Sequence, residues 1–334
     1  MKHILIGGDG FVGRHLAPLL LADGAEVVVV DVTRSDLPHY ADATHITCDI
    51  RDADAVRRIP FGPDDIVHNL AAKMLSPLQK RRDRHAFFWP TNFTGASNVL
   101  DQMRASGAHH FIQFTTDMIY GHTVENPQTE SHPRAPLGEY GASKLAIEER
   151  CEAMRAEGMM ITIMRPRLII GPGRLGILAK LFKLIDANLP VPMIGSGKHP
   201  YQFVSVYDCA QASYLAAKYQ CPNAAYNLGS KNPPSVRALL GSLIKAAGSR
   251  SVLVPTPGPL VKLTLAAFDR VNLPIMDPEQ YLIADEYCVR DTTAIETDLG
   301  WRARHDDSAM LNAAYAEYRG HPVPEKASAE ILPA

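Results

Sequence analysis

The sequence predicts an α/β protein with a doubly wound parallel sheet, and three observations predict it. Short β-rich runs alternate with longer helical patterns through the first half of the chain, which is typical of βαβ units. Residues 27–30 are four consecutive valines, as expected for a parallel strand covered by helices on both faces. A glycine-rich turn directly follows the first β-rich run and leads into a helical pattern.

The predicted elements divide the chain into three parts. They begin with a strand at residues 3–6, a helix at 12–22, and strands at 26–30, 66–69, 111–114 and 161–164. After about Gly171, proline- and glycine-rich connections separate shorter segments, which indicates a smaller lobe. We expect a sheet domain over residues 1–170, completed by later segments, a lobe mainly over 171–320 and a loosely ordered tail over 321–334.

Composition narrows the class of protein. The 334 residues are 46% hydrophobic and 21% charged, ordinary globular values that exclude a mostly disordered or fibrous chain. Thirty-four basic against 36 acidic residues give a formal charge of −2, so the net charge gives no reason to expect nucleic acid or an anionic membrane as a partner, and only local charged patches leave either open. The five cysteines are scattered without metal-ligand spacing, and neither a signal peptide nor a membrane span is predicted. We expect a cytoplasmic protein that acts on a small molecule.

The first strand ends in a phosphate-binding pattern. Gly7, Gly10 and Gly13 follow one another at a spacing of three, with Phe11 and Val12 between the last two. Gly7 suits a tight turn, Gly10 lets backbone amides approach a pyrophosphate at the helix N-terminus, and Gly13 permits close helix–strand packing. The pattern predicts a Rossmann-type dinucleotide site; the alternative is a glycine-rich turn without a ligand.

An acidic residue closes the second strand. Asp31 lies 18 residues after Gly13, where a carboxylate accepts hydrogen bonds from an adenosine ribose and repels a 2′-phosphate. This favours NAD over NADP, although Arg34 nearby is compatible with some NADP use. A solvated turn residue is the alternative for Asp31. Asp9, at the tip of the glycine loop, has no predicted role.

Tyr140 and Lys144 form a YxxxK motif on a helical pattern. Residues four apart share one helix face, so the lysine ammonium is expected beside the phenol, where it would lower a pKa that starts near 10. A tyrosine activated in this way is a usable acid and base. On its own, YxxxK is more often a half-exposed helical face.

Together these motifs make the chain similar to the extended short-chain dehydrogenase/reductase family over roughly residues 1–320. Further matching positions are Asp49-Ile50-Arg51-Asp52, His68-Asn69-Leu70-Ala71-Ala72, Asn92, Arg165-Pro166, Gly171-Pro172-Gly173 and Asp298-Leu299-Gly300-Trp301. The resemblance implies a Rossmann-type sheet with a smaller C-terminal substrate-binding lobe, and hydride transfer between NAD and a secondary alcohol.

The resemblance also assigns residues. Thr116 is expected to orient the reacting oxygen, Tyr140 to exchange its proton, and Lys144 to bind the nicotinamide ribose as well. The implied cofactor contacts are Gly7, Gly10, Phe11, Val12, Gly13, Asp31, Asp49, Ile50, Leu70, Ala71, Ala72, Asn92, Tyr140, Lys144 and Pro166. Members of the family commonly pair through the YxxxK helix and its neighbour, here residues 88–104, so a homodimer is expected.

Several departures from the family pattern concern the substrate. Asp117 and Met118 stand where sugar 4,6-dehydratases carry Asp-Glu, so dehydration is disfavoured; Asp117 is either a proton donor or a loop carboxylate that caps amides. Tyr201 replaces the arginine with which sugar epimerases bind the diphosphate. The substitute cations are Arg174 or, from the loop that carries Tyr201, Lys198 or His199; ordinary surface positions are the alternative for the latter two. The predicted substrate-binding residues are Met118, Arg167, Arg174, Lys198 and Tyr201.

Two substrate classes therefore remain open. The family favours a sugar-like substrate, nucleotide-linked in many members, whereas the RPxxxxGPG run is closer to the 3β-hydroxysteroid dehydrogenase-like branch, which implies an apolar alicyclic alcohol. An apolar helical pattern over residues 259–271 is either core or the wall of a lipid-accepting pocket. The remote alternative is an NAD-sensing protein without catalysis.

Overall fold

The computed structural model describes residues 1–176 and 178–322. Its strands are β1 (Lys2–Ile6), β2 (Glu26–Asp31), β3 (Thr44–Thr47), β4 (Ile66–Asn69), β5 (His110–Phe114), β6 (Met160–Pro166), β7 (Ile169–Ile170), β8 (Val191–Ile194), β9 (Val204–Ser205), β10 (Ala225–Leu228) and β11 (Leu253–Thr256). Seven of them form one parallel sheet in the order β10-β6-β5-β4-β1-β2-β3. This order reverses direction beside β1, as in doubly wound dinucleotide-binding sheets.

Helices cover both faces of this sheet and build the remaining lobe. They are α1 (Gly13–Ala22), α2 (Ala53–Val56), α3 (Arg84–Trp89), α4 (Ala96–Ala105), α5 (Glu139–Ala156), α6 (Leu178–Asp186), α7 (Val206–Lys218), α8 (Val236–Ala246), α9 (Gly258–Arg270), α10 (Pro278–Tyr281), α11 (Thr293–Leu299) and α12 (Asp307–Tyr318). A π-helical segment, Pro90–Gly95, joins α3 to α4. Within the part of the chain described, no helix is both long and apolar enough to cross a bilayer.

Burial explains why the apolar runs become strands. Val28 and Val30 of β2 pack into the core beneath one face of the sheet, while Val27 and Val29 pack into the core beneath the other. Side chains alternate between faces along a strand, so a run buried on both sides has to be apolar throughout. The predicted fold class is confirmed, and the predicted first helix begins one residue later than expected.

The last strand of the sheet comes from beyond residue 170. β10 pairs with β6, and Tyr226 and Leu228 are buried there. The rest of the C-terminal part forms two small parallel ladders, β8 with β11 and β7 with β9, together with the later helices. Trp301 is fully buried and its indole N–H donates to the Asp208 carbonyl at 2.9 Å, which ties this lobe to α7. Of the predicted tail, residues 323–334 lie outside the described residues.

Candidate active site

The glycine loop lies at the carboxyl end of β1 and opens into a cavity of about 410 Å³. Gly7 has a φ of +75°, which L side chains rarely adopt, and a Cβ there would approach the Ala71 backbone nitrogen to 2.6 Å. A Cβ on Gly13 would collide with the Gly8 carbonyl. The sequence therefore needs glycine at both positions, so that the loop passes close to β4 and α1 lies close to the loop.

Asp31 ends β2 and lines the same cavity. Its carboxylate accepts hydrogen bonds from the backbone N–H of Asp9 at 3.1 Å and from the backbone N–H of Thr33 at 3.2 Å. Asp9 itself is buried and accepts from the hydroxyls of Thr33 and Ser35, with Arg14 3.4 Å away. The carboxylate of Asp9, which the sequence left without a role, thus anchors the loop after β2.

The predicted catalytic residues meet at the other end of this cavity. Thr116 follows β5, while Tyr140 and Lys144 lie on the buried face of α5; all three line the cavity. The Tyr140 hydroxyl donates to the Met74 sulfur at 3.3 Å, and Thr116 acts to lower the pKa of this phenol. Lys144 is 1% exposed, and its ammonium donates to the Phe114 carbonyl at 3.0 Å. Dinucleotide-loop residues and a tyrosine–lysine pair therefore share one cavity.

The pKa shifts of Tyr140 and Lys144 differ from the expected lowering of the phenol pKa. Burial raises the pKa of Tyr140 above its ordinary value near 10, and hydrogen bonding with Thr116 only partly offsets this rise. Burial also lowers the pKa of Lys144 from 10.5 to about 8. Desolvation penalises the charged form of each group, and the predicted lowering of the phenol pKa by Lys144 is not seen; the groups that lower it are Thr116 and Arg174.

Asp117 lies beside this set in a buried cluster of charges. Its Oδ2 accepts from Arg167 at 2.6 Å and from Arg290 at 2.7 Å. Burial alone would raise the pKa of Asp117, but the two guanidinium groups hold it below its usual value. A carboxylate held ionised by two arginines is a poor proton donor. The carboxylate of Asp117 pairs with two arginines and does not cap amides of the described residues as the predicted alternative had it, so its contacts match neither predicted role.

Most predicted cofactor contacts line the cavity. They are Gly7, Gly10, Phe11, Val12, Asp31, Asp49, Ile50, Leu70, Ala71, Ala72, Tyr140, Lys144 and Pro166. Gly13 and Asn92 do not. Gly13 acts through packing, and Asn92 is buried behind the wall, where it bonds both the N–H and the carbonyl of Lys73 and the hydroxyl of Ser143.

The predicted substrate-binding residues divide in a similar way. Met118, Arg167, Arg174 and Tyr201 line the cavity. Lys198 is exposed and is not among the described residues that line the cavity. Arg167 lies over the Tyr201 ring at 5.1 Å and is paired with Asp117. Arg174, unlike Arg167, lines the cavity without an ion pair to a carboxylate among the described residues.

Two residues of this region have no signal in the sequence. Glu279 of α10 is buried and accepts hydrogen bonds from the backbone N–H groups of Tyr140 and Gly141 at 2.9 Å. Arg290 pairs with Asp117 across 173 positions. Neither belongs to a local motif, so only the tertiary structure reveals them.

The apolar helical pattern over residues 259–271 fits the predicted core interpretation at Leu265 only. It forms α9, of which Gly258, Leu265 and Asp269 are buried, while Leu260 and Leu263 are exposed. No residue of this pattern lines the cavity. Most of its large apolar side chains therefore face solvent, and the pattern does not form a pocket wall.

A parallel sheet with a glycine loop, a strand-end aspartate and a buried Tyr–Lys pair in one cavity defines a dinucleotide-binding enzyme of the short-chain dehydrogenase/reductase type. Comparison with known proteins agrees with this class. The profile of the NAD dependent epimerase/dehydratase family matches residues 3–229. The chain belongs to this family and is an enzyme.

Individual relatives extend the likeness beyond the matched segment. The chain is 31% identical over 321 residues to an uncharacterized protein of Sinorhizobium fredii, covering 95% of this chain and 78% of the relative. It is 25% identical over 350 residues to a UDP-glucose 4-epimerase of Streptomyces lividans, covering 96% and 97% of the two chains. The crystal structure of a UDP-glucose 4-epimerase with UDP-glucose from Thermotoga maritima has a TM-score of 0.75 at 24% identity and covers 96% and 99% of the two chains, which supports the fold.

Proposed function

We propose that the protein is an NAD-dependent oxidoreductase of the epimerase type. It transfers a hydride at a secondary alcohol or ketone of a sugar-like substrate, with Tyr140 as acid and base. The observation that carries this proposal is the shared cavity, in which Thr116, Tyr140 and Lys144 stand opposite the glycine loop and Asp31. The retained tyrosine and lysine argue against an NAD-sensing protein without catalysis.

Separate residues bind the cofactor and act on the substrate in the proposed reaction. Gly7 and Gly10 admit the pyrophosphate to the N-terminus of α1, and Asp31 receives the adenosine ribose. NAD, when bound, supplies the hydride acceptor. Tyr140 takes the hydroxyl proton only in its ionised form, which burial opposes and which the Lys144 ammonium would stabilise. Thr116 fixes the reacting oxygen through hydrogen bonding.

NAD is the proposed cofactor in preference to NADP. The Asp31 carboxylate lies at the cavity wall, where it repels a 2′-phosphate. Arg34, the cation that favoured some NADP use, is exposed and does not line the cavity. The electrostatics of this end of the cavity therefore favour a free 2′-hydroxyl.

A nucleotide-linked sugar is the preferred substrate class. The epimerase named above supports it, because it aligns with nearly the whole chain. Arg174 lines the cavity and is available to a diphosphate, since it has no carboxylate partner among the described residues. Met118 offers no base for the proton removal that dehydration requires, which favours epimerisation or net oxidation.

An apolar alicyclic alcohol is the second candidate, and the cavity wall supplies its argument. Met74, Leu75, Leu175 and Ile283 line the cavity, and Met74 and Leu75 pack with Tyr140. Arg167 shares the single Asp117 carboxylate with Arg290, so this part of the wall keeps a net positive charge and does not support an apolar substrate. The apolar side chains alone carry the argument, since they suit a hydrophobic ring.

A homodimer through α4 and α5 is part of the proposal. The outward faces of these neighbouring helices carry the ion pairs Arg150–Asp101 and Arg104–Glu157. These exposed charges suit a polar, symmetric contact. Native mass spectrometry at micromolar concentration is expected to show the dimer, and monomer alone would contradict it.

Calorimetric titration followed by turnover tests the main proposal. NAD is expected to bind more tightly than NADP, and UDP, dTDP and a 3β-hydroxysteroid are then titrated into the NAD-loaded protein. Tyr140→Phe should retain NAD binding but lose at least about 100-fold in turnover. Failure of NAD to bind overturns the proposal, while steroid binding without nucleotide binding selects the second candidate.

A further inference from the structure

The outward face of α9 is apolar except at Thr264. Leu260, Leu263, Phe268 and Val271 are 61%, 69%, 41% and 63% exposed. Together with exposed Ala267 they lie three, four, one and three residues apart, which places them on one face of the helix. An ordinary surface helix turns such a face inward, so this arrangement is the reverse of the usual one.

The apolar surface continues past the end of the helix. Leu273, Ile275 and Met276 are 61%, 50% and 36% exposed. Seven of the fifteen exposed large hydrophobic residues in the described chain therefore fall within residues 260–276. We call these seven residues the apolar stripe. A concentration of this kind marks an interaction surface rather than scattered surface residues.

The Thr264 hydroxyl, the polar group on this face, is hydrogen-bonded within its own helix. Thr264 lies between Leu260 and Phe268 on the outward face, and its hydroxyl donates to the Leu260 carbonyl at 2.9 Å. A hydroxyl satisfied by its own helix costs little to transfer to an apolar medium. The whole outward face of α9 can therefore be desolvated without leaving the Thr264 hydroxyl unsatisfied.

Exposed cations border the apolar stripe. Arg270 is exposed on α9 itself, at the edge of its apolar face. The Lys180 ammonium donates to the Ile275 carbonyl at 3.2 Å. The backbone N–H of Arg82 donates to the Asn272 side chain at 3.3 Å, which brings the exposed segment Lys80, Arg81 and Arg82 to the loop after α9.

The acidic residues of the same region are mostly withdrawn or paired. Asp269 and Asp277 are buried against Arg84. Asp285 pairs with Lys262. Asp83 remains exposed beside Arg82, at 3.6 Å. The rim of the apolar stripe therefore presents a net positive charge.

We propose that the apolar stripe docks on an anionic lipid bilayer, with α9 lying in the interface plane. A hydrophobic helical face bordered by arginine and lysine is the pattern that partitions into the headgroup region of anionic membranes. A second copy fits less well, because a two-fold contact centred on the stripe would bring the cationic rims together.

The apolar stripe lies next in sequence to residues that line the active-site cavity. The segment that follows it contributes Gln280, Ile283 and Ala284 to the cavity wall. Docking through α9 would therefore hold the catalytic cavity within a short distance of the membrane surface. This arrangement requires peripheral binding only.

Vesicle co-sedimentation of the full chain tests the proposal. The protein is expected to sediment with vesicles of phosphatidylglycerol and phosphatidylcholine and at least tenfold less with phosphatidylcholine alone, and high salt should weaken this binding. Leu263→Glu combined with Phe268→Glu should reduce the sedimented fraction at least tenfold, and Arg270→Glu should reduce it several-fold.

Matched control variants distinguish an effect of the apolar stripe from the effect of adding a glutamate anywhere on the surface. Val124→Glu, at a residue 74% exposed elsewhere, and Arg302→Glu should bind vesicles as the wild type does. NAD affinity and the thermal transition of every variant should match those of the wild type, which shows that each one folds. Three results overturn the proposal: no binding to either vesicle, equal loss in the Val124→Glu control, or a stripe variant that merely converts a dimer into a monomer.

Discussion

The carboxylate of Glu279 accepts a hydrogen bond from the backbone N–H of Tyr140 at 2.9 Å, across 139 positions of the chain. It also accepts the N–H of Gly141, so that a side chain from the C-terminal lobe satisfies two donors at the N-terminus of α5. A Cβ on Gly138 or Gly141 would clash with this carboxyl group. The lobe thus fixes the start of the helix that carries the proposed acid and base.

This contact predicts a pH effect on stability. Burial raises the pKa of Glu279 from 4.5 to about 8, so the folded state keeps a proton that the unfolded chain releases. The corresponding stability is complete below pH 4.5 and is lost as the pH rises towards 8. Glu279→Gln removes this titration and should flatten the fall in unfolding free energy between pH 6 and 8 by up to about 1.4 kcal/mol per pH unit.

Thermal or urea unfolding at a series of pH values measures this effect. Glu157→Gln, at an exposed glutamate on the far end of α5, is the control and should keep the wild-type slope. A Glu279→Gln variant with the wild-type slope would show that Glu279 ionises normally in the folded protein.

Lys144→Met is expected to increase stability at pH 7 while it abolishes turnover. Burial lowers the pKa of Lys144 from 10.5 to about 8, so its desolvation costs stability fully below pH 8, and this cost vanishes as the pH rises to 10.5. After loss of the hydrogen bond to Phe114, the net gain should be about 1–2 kcal/mol. Chemical denaturation at pH 7 and 10.5 measures it, and exposed Lys245→Met should change little. A gain that persists at pH 10.5 would contradict the assigned cause.

Asp117→Asn should destabilise the fold strongly. The substitution leaves the buried guanidinium groups of Arg167 and Arg290 without their shared counter-charge, a loss worth about 3–5 kcal/mol. Asp54→Asn, which breaks the exposed pair with Arg57, should cost less than about 1 kcal/mol. Denaturant midpoints measure both. If the two variants behave alike, the buried cluster does not hold the cavity wall together.

Asp31→Asn should weaken the discrimination between the two cofactors. The amide keeps the size of the side chain but removes the charge that repels a 2′-phosphate. The ratio of NADP to NAD dissociation constants should fall roughly tenfold. Calorimetric titration gives both constants, with exposed Asp36→Asn, which does not line the cavity, as the control. An unchanged ratio would assign discrimination to another residue.

Local sequence patterns predict the sheet and the loops that line the cavity. The valine run predicted β2 because burial on both faces demands it, and the glycine spacing predicted the loop because a Cβ at Gly7 or Gly13 would clash. The Tyr140 and Lys144 spacing placed both side chains on one buried helix face. These features depend on neighbours close in sequence.

Features that depend on distant neighbours could not be predicted in the same way. Glu279 and Arg290 act on groups more than 130 positions away. Helical periodicity identifies the face of α9 but not its direction, since an apolar face is the same pattern whether it meets the core or solvent. Lys198 lies in a loop whose path sets its distance from the cavity, and no local residue pattern encodes that path.

Arg174 and Lys198 provide the sharpest test of substrate class, because the sequence offered both as substitutes for the missing diphosphate-binding arginine. Arg174 lines the cavity, whereas Lys198 is exposed outside it. With NAD bound, Arg174→Ala should weaken UDP binding at least roughly tenfold, since a charge-assisted contact to phosphate is lost, and Lys198→Ala should leave the dissociation constant unchanged. The reverse result would place the diphosphate outside the cavity. If the wild type binds no UDP and takes up a 3β-hydroxysteroid, the nucleotide-linked substrate is wrong and the apolar lining around Leu75 and Leu175 determines specificity.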